Sequence, residues 1–452
     1  MNVDVLRLCE TVRDAGGRAV LVGGWVRDRL LGFDSKDFDV EVYGVEPERL
    51  RAVLEKIGQV NTVGEHFSVY KLVSYRPPPS NAGETTETNP PQRERVEIDV
   101  SLPRRESKSG RGHRGFVIEG DPSMTFEEAA RRRDFTINAI IYDPLTDDTI
   151  DPYGGADDLH RRILRAVAAD TFIEDSLRVL RAVQLVARFE MTLDHRTLEL
   201  CRSIDLTDLP RERIWGEIEK LLTLAARPSI GLDAALELGV LDQLFPEIRK
   251  LSVRRLSGDQ DSFDHTKRAL DVAATLAGDL SRPKRVAVML AALTHELATN
   301  SDSEPAHSIL NRLGVYSLDG YNVRSQVMAL VREQRNPADF YVRRQTIPDG
   351  DFRRLSQKVD MDLLARVAKC CALARKPEPS SIAEDWFLER SRALGVEHGP
   401  PAPLLQGRHL LEAGYQPGPQ MGELLRSVYE LQLDGEVTTT EEALAAARGL
   451  AV

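Results

Sequence analysis

The sequence is poor in cysteine and has no long apolar run. Its four cysteines show no Cys-x-x-Cys spacing, which argues against a zinc ribbon and fits a reducing compartment. No apolar stretch approaches the length of a membrane span, and the N-terminus lacks the basic and then apolar pattern of a secretory signal. We therefore expect a cytoplasmic protein without a membrane partner.

An excess of positive charge is also missing. Lysine and arginine number 60 against 71 aspartates and glutamates, so the net charge is −11. This balance argues against a protein coated in positive charge, although a local basic groove can still bind RNA. At 452 residues the chain is too long for a single core, so several domains are expected.

The most informative stretch is residues 21–41, which predicts a short strand, a glycine pair, a helix start and a second strand. Gly23 and Gly24 permit close backbone approach to a bulky ligand. A helix that begins just after them would offer free N–H groups to phosphate oxygens, and Arg27 would add a fork of donors. These residues predict a phosphate-binding turn.

Asp37 and Asp39 follow in the same stretch, two residues apart. On a strand this spacing puts both carboxylates on one face. Two oxygen ligands on a rigid strand suit Mg²⁺ when the ion shares its coordination shell with nucleotide phosphates. A solvated strand end is the alternative for an isolated Asp-x-Asp pair. Glu41 continues the same face and is interpreted as structural.

Two further patterns lie downstream. Residues 125–142 predict a helix that is followed directly by a strand, Phe135 to Tyr142. Arg133 and its neighbours lie where the helix leads into the strand. Residues 173–189 predict a helix on which charged side chains at i, i+3 and i+6 crowd one side, while apolar residues pack on another. The charged residues are Asp175, Arg178 and Arg181, and the packed residues are Leu177, Leu180 and Val183.

Together, these patterns resemble the active-site signature of the polymerase-β-type nucleotidyltransferases. Among them they are similar to the class II tRNA nucleotidyltransferase (CCA-adding) and bacterial poly(A) polymerase family. Residues 132–139 match the family's Arg-Arg-Asp-Phe-Thr-Ile-Asn-Ala motif almost letter for letter. The resemblance covers nearly the whole chain, with specific motifs in residues 21–189 and looser similarity beyond.

The resemblance implies a role for each matching residue of the second pattern. Arg133 would contact the nucleotide, and Asp134 and Asn138 would hold the ribose and the local backbone. Asn138 could instead be a buried amide that satisfies backbone groups. Asp99 lies five residues before Arg104, the distance that the family's third acidic residue keeps to its arginine, so it is assigned as the third catalytic carboxylate. The alternative for Asp99 is a strand-end acid in solvent.

The third pattern resembles the family's base-reading motif. In that motif an aspartate and an arginine act as a protein template whose hydrogen bonds select C and A over G and U. The match assigns this role to Asp175 and Arg178, and it has Arg181 reach the triphosphate. Gln184 departs from the family, since many relatives carry a further arginine there. A surface salt-bridge ladder is the alternative reading of the three charged residues.

The expected architecture is an α+β head with a polymerase-β-type nucleotidyltransferase sheet, followed by all-α segments. We assign residues 1–152 to the catalytic head, 153–250 to a helical neck with the base-reading motif, 251–390 to a helical body and 391–452 to a helical tail. Two loops are expected in the head, an exposed hairpin loop at residues 77–95 and a basic, flexible loop at residues 105–120.

The body resembles a degenerate HD-type phosphohydrolase domain. A working domain would use histidine and aspartate ligands on successive helices. The chain has His265, then His295 followed by Glu296 where the family has aspartate, then His307. The last aspartate, expected near Cys371, is missing. We therefore expect a scaffold without phosphohydrolase activity.

The predicted activity is metal-dependent, template-independent addition of CCA to the 3′ end of tRNA from CTP and ATP, with release of pyrophosphate. The catalytic set would be Asp37, Asp39 and Asp99, with Mg²⁺ on the first two. CC-adding, A-adding and poly(A) polymerases share the core motifs and remain alternatives. An HD phosphohydrolase and an inactive RNA-binding protein are less favoured. The oligomeric state is left open.

Overall fold

The chain folds into two compact units, Met1–Leu209 and Pro210–Val452. The four-part division predicted from the sequence stays a prediction within this arrangement. Most of the predicted hairpin loop, residues 77–93, lies outside the described residues. The computed structural model describes residues 2–62, 69–76, 94–108, 116–254, 261–297, 304–375 and 379–450.

A seven-stranded mixed sheet forms the centre of the first unit, in the order β3-β4-β5-β2-β1-β8-β9. Only β2 and β5 pair in parallel among these strands, and the other neighbours are antiparallel. The strands are β1 (Arg18–Val22), β2 (Phe38–Tyr43), β3 (Gln59–Thr62), β4 (Val69–Arg76), β5 (Glu94–Ser101), β6 (Arg104–Lys108), β7 (Phe116–Gly120), β8 (Ile141–Asp143), β9 (Asp148–Ile150), β10 (Ile163–Leu164) and β11 (Thr192–Leu193).

The helices of this unit pack around that sheet. α1 begins where Asn2 accepts a hydrogen bond from the Asp4 N–H at 2.9 Å, and its apolar face is buried in the core on one side of the sheet. The helices are α1 (Val3–Asp14), α2 (Gly24–Leu30), α3 (Pro47–Leu54), α4 (Phe126–Arg131), α5 (Gly155–His160), α6 (Ala169–Phe172), α7 (Leu177–Phe189) and α8 (His195–Arg202).

Alternation along β1 and β2 separates the two faces of the sheet. Leu21 and Val40 enter the core that α1 and α3 cover, whereas Val20 and Tyr43 join a second core on the opposite face. Asp39 also belongs to that opposite face, since strand residues two apart point the same way. The side of the sheet away from α1 and α3 is therefore the one that carries the acidic residues.

Two expectations about local structure were wrong. Instead of a flexible loop over residues 105–120, β6 and β7 pair as an antiparallel hairpin, and residues 109–115 between them lie outside the described part. The predicted strand from Phe135 to Tyr142 begins as a short 3₁₀ helix, Thr136–Asn138, and only its end is β8. The Asp134 carboxylate accepts the Phe135 N–H at 2.7 Å, which turns the chain there.

The regular elements of the second unit in its described part are helices, as predicted, with a short 3₁₀ helix at His295–Leu297 and one isolated β-bridge between Leu318 and Tyr321. Its final helices share a small separate core. The helices are α9 (Arg211–Leu224), α10 (Pro228–Glu237), α11 (Val240–Leu244), α12 (Pro246–Leu251), α13 (Ser262–Leu276), α14 (Arg282–Thr294), α15 (Glu304–Leu313), α16 (Val323–Glu333), α17 (Asn336–Val342), α18 (Asp349–Ser356), α19 (Met361–Leu373), α20 (Ile382–Ala393), α21 (Gly407–Glu412), α22 (Pro419–Asp434) and α23 (Thr440–Leu450).

Two features that the sequence lacks, paired cysteines and long apolar runs, can be compared with the structure. Cys9, Cys201, Cys370 and Cys371 are all buried and unpaired. Among the described helices, none combines the length and the apolar character that crossing a membrane requires.

Candidate active site

The predicted catalytic carboxylates lie on neighbouring strands. Asp39 in β2 and Asp99 in β5 face each other directly in the parallel register. Asp37 immediately precedes β2 and is exposed, so it lies at the strand entrance and not within the strand as predicted. The three carboxylates therefore come from one short region of the sheet, on the face away from α1 and α3.

Negative charge is concentrated around Asp39. Partial burial raises the pKa of its carboxyl group, Arg133 opposes that shift, and Asp99 and Asp37 add to it. Lys71 of β4 approaches Asp99, with 3.8 Å between Nζ and Oδ1. Like charges held together on a rigid sheet repel each other unless a cation offsets them, so this donor set fits a divalent metal that prefers oxygen ligands.

Gly23 borders the same space. Its φ of 71° lies in the left-handed region, which favours glycine. A Cβ atom at this position would lie 3.5 Å from Asp39 Oδ2 and 3.5 Å from Arg133 Nη1. A larger side chain would thus compete with a ligand for the space between the carboxylate and the guanidinium.

Hydrogen bonds from Arg133 to Glu41 and from Tyr43 to Glu41 fix the position of Arg133. Its Nη2 donates to Glu41 Oε1 at 3.1 Å, and Glu41 Oε2 accepts the Tyr43 hydroxyl at 2.7 Å. Burial raises the pKa of Tyr43, and Glu41 adds to the shift, so Tyr43 remains a hydrogen-bond donor. The structural interpretation of Glu41 agrees with these contacts, because Glu41 positions an arginine that faces the carboxylates.

The phosphate contact predicted for Arg27 stays a prediction, and its side chain has several partners within the protein. The side chain is buried, and its Nε and Nη2 donate to Asp28 Oδ1 at 2.8 and 2.6 Å. Its Nη1 donates to Asn138 Oδ1 at 2.6 Å, and its guanidinium lies 4.5 Å from the centre of the Phe189 ring. Through these contacts within the protein, Arg27 links α2 to Asn138 of the second pattern, residues 125–142.

The second pattern continues this network. Asp134 is buried and accepts hydrogen bonds from Asn138 Nδ2 at 3.0 Å and from Arg181 Nη1 at 2.8 Å. Burial alone would raise the pKa of Asp134, but Arg181, Asn138 and the Phe135 N–H hold it below its usual value. Asn138 is partly buried and bridges the side chains of Arg27 and Asp134, while its predicted role at the ribose stays a prediction.

The proposed template residues lie at the start of α7. Asp175 precedes the helix, and its Oδ1 accepts the Leu177 N–H at 3.1 Å. Arg178 donates to the carbonyls of Thr171 and Arg132 at 2.8 and 2.7 Å. Because a planar guanidinium bound at two points has little rotational freedom, Arg178 is held in a fixed orientation.

Sequence reasoning missed two members of the network, Asp28 and Arg188. Asp28 is buried and pairs with both Arg27 and Arg188 of α7, the latter at 3.2 Å. The signal available in the sequence was the position of Asp28 directly after Arg27, since a buried arginine requires a nearby acid. Gln184 is also buried, and among the described residues its Nε2 has no hydrogen-bond partner.

A separate cluster lies in the helical body. His265, His295 and Glu296 come together with donor atoms within 4.8 Å of one another. His307 lies elsewhere, on α15, where it contacts Asn311 at 3.2 Å. The prediction that the body has no phosphohydrolase activity stays a prediction.

The fold and the first site define a nucleotidyltransferase with a mixed-sheet head and a helical remainder. Residues 19–165 match the family model for the poly A polymerase head domain. Residues 190–251 match a second family model, described as a probable RNA and SrmB-binding site of polymerase A. Family members of this type generally depend on a metal ion.

Known proteins specify the family further. The chain is 32% identical over 430 residues to a multifunctional CCA protein from Stenotrophomonas maltophilia (strain K279a), across 90% of this chain and 96% of the relative. It is also 32% identical over 438 residues to a multifunctional CCA protein from Xanthomonas campestris pv. campestris (strain B100), again across 90% and 96%. The chain belongs to the multifunctional CCA protein family.

Solved structures confirm the predicted fold class. The CCA-adding enzyme of Bacillus stearothermophilus in complex with CTP aligns with a TM-score of 0.67 and 22% identity, over 100% of this chain and 98% of that one. The Thermotoga maritima CCA-adding enzyme complexed with tRNA aligns with a TM-score of 0.61 and 20% identity, over 100% and 95%. At these identities the likeness concerns the fold.

Proposed function

We propose that this chain adds CCA to the 3′ end of tRNA from CTP and ATP and releases pyrophosphate. The observation that carries the proposal is the position of Asp39, which lies directly opposite Asp99 on the neighbouring strand and next to Gly23 and Arg133. The chain is also a member of the multifunctional CCA protein family. The tRNA 3′-hydroxyl would attack the α-phosphate of the bound nucleotide at this place. The four unpaired cysteines agree with the cytoplasm as the site of action.

Asp37 and Asp39 would hold the metal, for which we propose Mg²⁺ because the donors are carboxylate oxygens. When bound, Mg²⁺ supplies activation of the hydroxyl and neutralisation of the leaving group. Asp99 would help to orient the metal or accept the proton of the attacking hydroxyl. Arg133, fixed by Glu41, would bind the nucleotide phosphates on the other side of Gly23.

Asp175 and Arg178 would read the base. A carboxylate accepts hydrogen bonds and a guanidinium donates them, so the pair can match the exocyclic amine and the ring nitrogen that cytosine and adenine share. Arg178 is held by two backbone carbonyls, which supports a preset donor direction. Arg181 would reach the triphosphate from its contact with Asp134.

A product-length assay tests the proposal. The full chain is incubated with tRNAs that end at the discriminator base, at C and at CC, with each labelled nucleotide separately and all four together. Completion of CCA on all three tRNAs is the expected result. Extension that stops after CC would identify a CC-adding enzyme, extension that starts only from CC an A-adding enzyme, and continued addition of A a poly(A) polymerase. No extension on any tRNA would overturn the proposal.

A further inference from the structure

The connection between α15 and α16 carries an exposed aromatic residue, Tyr316. More than half of its surface is accessible to solvent, with an exposed fraction of 55%. Single apolar side chains are common on protein surfaces, and exposure by itself indicates no function. The contacts that fix the ring of Tyr316 are what distinguish it from such a residue.

The ring of Tyr316 stacks on the guanidinium of Arg324. The guanidinium carbon lies 3.8 Å from the centre of the ring, which is a direct cation–π contact. Arg324 donates from Nε to the Val315 carbonyl oxygen at 3.1 Å and from Nη2 to the Leu310 carbonyl oxygen at 3.2 Å. Because two hydrogen bonds fix the planar guanidinium, the ring that stacks on it is held in one orientation as well.

The backbone of this connection is fixed on both sides of the tyrosine. Gly314 follows α15 in the left-handed region, with a φ of 68°, and the Arg324 N–H donates to the Tyr316 carbonyl oxygen at 3.1 Å. Leu318 and Tyr321 exchange two backbone hydrogen bonds across a tight turn, at 3.0 and 2.8 Å. Since the residue is already ordered, little conformational entropy is lost when its ring binds a partner.

Positive charge accompanies the ring. The aliphatic part of Arg211 lies against Gly314, where a Cβ atom on the glycine would be 2.8 Å from Arg211 Cδ. Arg211 is exposed at the start of α9. The two hydrogen bonds of Arg324 go to neutral carbonyl groups, and Asp319, the acid of the turn, lies 3.9 Å from a different arginine, Arg282. The Tyr316 surface, formed by Tyr316, Arg324 and Arg211, is therefore both aromatic and basic.

This combination suits an unpaired nucleotide better than it suits a protein partner. Every base has a π face that can stack on an aromatic ring, and arginine binds the neighbouring phosphate. A stable protein interface would have to bury a much larger area around a central cluster of apolar side chains. A single fixed ring with arginines beside it offers a contact of the size of one base and one phosphate.

We propose that the Tyr316 surface is a contact for tRNA apart from the catalytic carboxylates. A base of the tRNA that is not paired stacks on the Tyr316 ring, and Arg211 binds a phosphate of the same strand. The proposal rests on the proposed function, because it takes tRNA as the substrate. It concerns the affinity for tRNA and not the chemical step, since the surface belongs to the second unit and the candidate carboxylates belong to the first.

Binding and turnover of the full-length protein test the contact separately. Filter binding to tRNA ending in CC, without nucleotide, gives a Kd that does not depend on catalysis. Tyr316→Ala should weaken this binding by about 5- to 100-fold, the usual effect of losing one stacked base. In turnover, KM for tRNA should rise while kcat and KM for ATP keep their wild-type values. Tyr316→Trp keeps an aromatic face and should retain the wild-type affinity.

The salt dependence of binding distinguishes the ring from the arginine. Arg211→Ala should reduce the slope of log Kd against log salt concentration by about one, because one phosphate contact is lost. Tyr316→Ala should weaken binding without changing this slope, because stacking releases no counterion. Ile382→Ala is the control, since it removes another exposed apolar side chain of the same unit, and both Kd and slope should stay at their wild-type values.

Equal Kd for tRNA in wild type, Tyr316→Ala and Tyr316→Leu would overturn the proposal and leave a protein as the partner of this surface. Circular dichroism and Tm check the fold of each variant. If Tyr316→Ala is unfolded, Tyr316→Leu decides, because leucine fills much of the space of the ring but has no aromatic face. Protein that extends tRNA with a Kd independent of Tyr316 keeps the proposed function and lacks this contact. Protein whose affinity depends on Tyr316 but that extends no tRNA has the contact and lacks the function.

Discussion

Asp37 and Asp39 are the residues on which nucleotide addition should depend most. Replacing either by alanine removes a proposed metal ligand and with it several kcal/mol of transition-state stabilisation. We expect activity to fall by at least about 100-fold, since each 1.36 kcal/mol corresponds to a tenfold change in rate. Turnover on tRNA ending in CC measures the effect.

Asp34→Ala is the matched control, because Asp34 is an exposed aspartate in the same segment. It should retain activity, and all three variants should keep the wild-type Tm. Near-normal turnover by Asp37→Ala or Asp39→Ala would contradict the metal assignment.

Asp175 and Arg178 should determine which base is added. Guanine and uracil present a carbonyl and an N–H where cytosine and adenine present an amine and a ring nitrogen, which would leave buried polar groups unpaired at about 1–3 kcal/mol each. Asp175→Ala and Arg178→Ala should therefore relax the preference for CTP and ATP by roughly 10- to 100-fold. The measurement is kcat/KM for all four nucleotides.

The salt-bridge alternative makes a different prediction for the same variants. It expects a lower Tm and an unchanged ratio among the four nucleotides. Arg202→Ala, which removes an exposed i,i+3 pair with Glu199 on α8, shows what the loss of a plain surface pair does. A folded Arg178→Ala with the wild-type nucleotide ratio would refute the template assignment.

Among the elements, α2 and α7 are tied together by Asp28. This buried carboxylate pairs with Arg27 and Arg188, so Asp28→Asn leaves buried positive charge without its partner. Breaking a buried ion pair in this way costs about 3–5 kcal/mol, and less where one partner is partly exposed. Urea denaturation of the head, monitored by hydrogen exchange in α2 and α7, should show a clear loss of stability.

Asp157→Asn gives the comparison for Asp28. It removes an exposed pair with Arg161, which should change stability by less than about 1 kcal/mol. Equal stability of the two variants would show that the buried network contributes nothing measurable.

The contact between α12 and α15 should depend on pH. Glu247 accepts two hydrogen bonds from Arg312, at 2.8 and 2.9 Å. Burial alone would raise the pKa of Glu247, but Arg312 and Ser308 hold it below its usual value. A carboxyl group with a lowered folded-state pKa stabilises the protein above its unfolded-state pKa, and this stabilisation is lost as the pH falls through the folded-state pKa.

Glu247→Gln should therefore lower the free energy of unfolding by about 1–3 kcal/mol at pH 7 and reduce its decline on acidification. Denaturation between pH 7 and pH 3 measures both effects. Asp242→Asn, which removes a more exposed partner of Arg249, should leave the pH profile close to wild type. A parallel acid decline in Glu247→Gln and wild type would contradict the assignment.

At the scale of the whole molecule, the net charge of −11 must be reconciled with a polyanionic partner. Binding of tRNA would require local contacts between basic side chains and phosphates, and each contact releases a counterion. We expect the affinity for tRNA to fall by at least about tenfold between 50 and 200 mM KCl. Filter binding across this range measures the slope, and an affinity independent of salt would exclude phosphate contacts as the main source of binding.

The sequence alone could predict which residues of the candidate active site carry chemistry, because they occur in short motifs. The spacing of Asp37 and Asp39 and the glycine pair pointed to one site, and the family resemblance added Asp99. In the structure, Asp39 lies opposite Asp99 on the neighbouring strand and beside Gly23. The α+β class was also predictable, because alternation at period two in the first third and helical spacing beyond it are local properties.

Tertiary contacts decided the rest. The contacts of Arg27 with Asp28 and Asn138 cannot be seen in its motif. Residues 105–108 and 116–120 were predicted to be a loop, whereas they pair with each other as strands. The histidine and glutamate of the body, 30 residues or more from their partner on α13, converge only through helix packing. Side-chain partners distant in sequence depend on packing and register, which residue spacing does not specify.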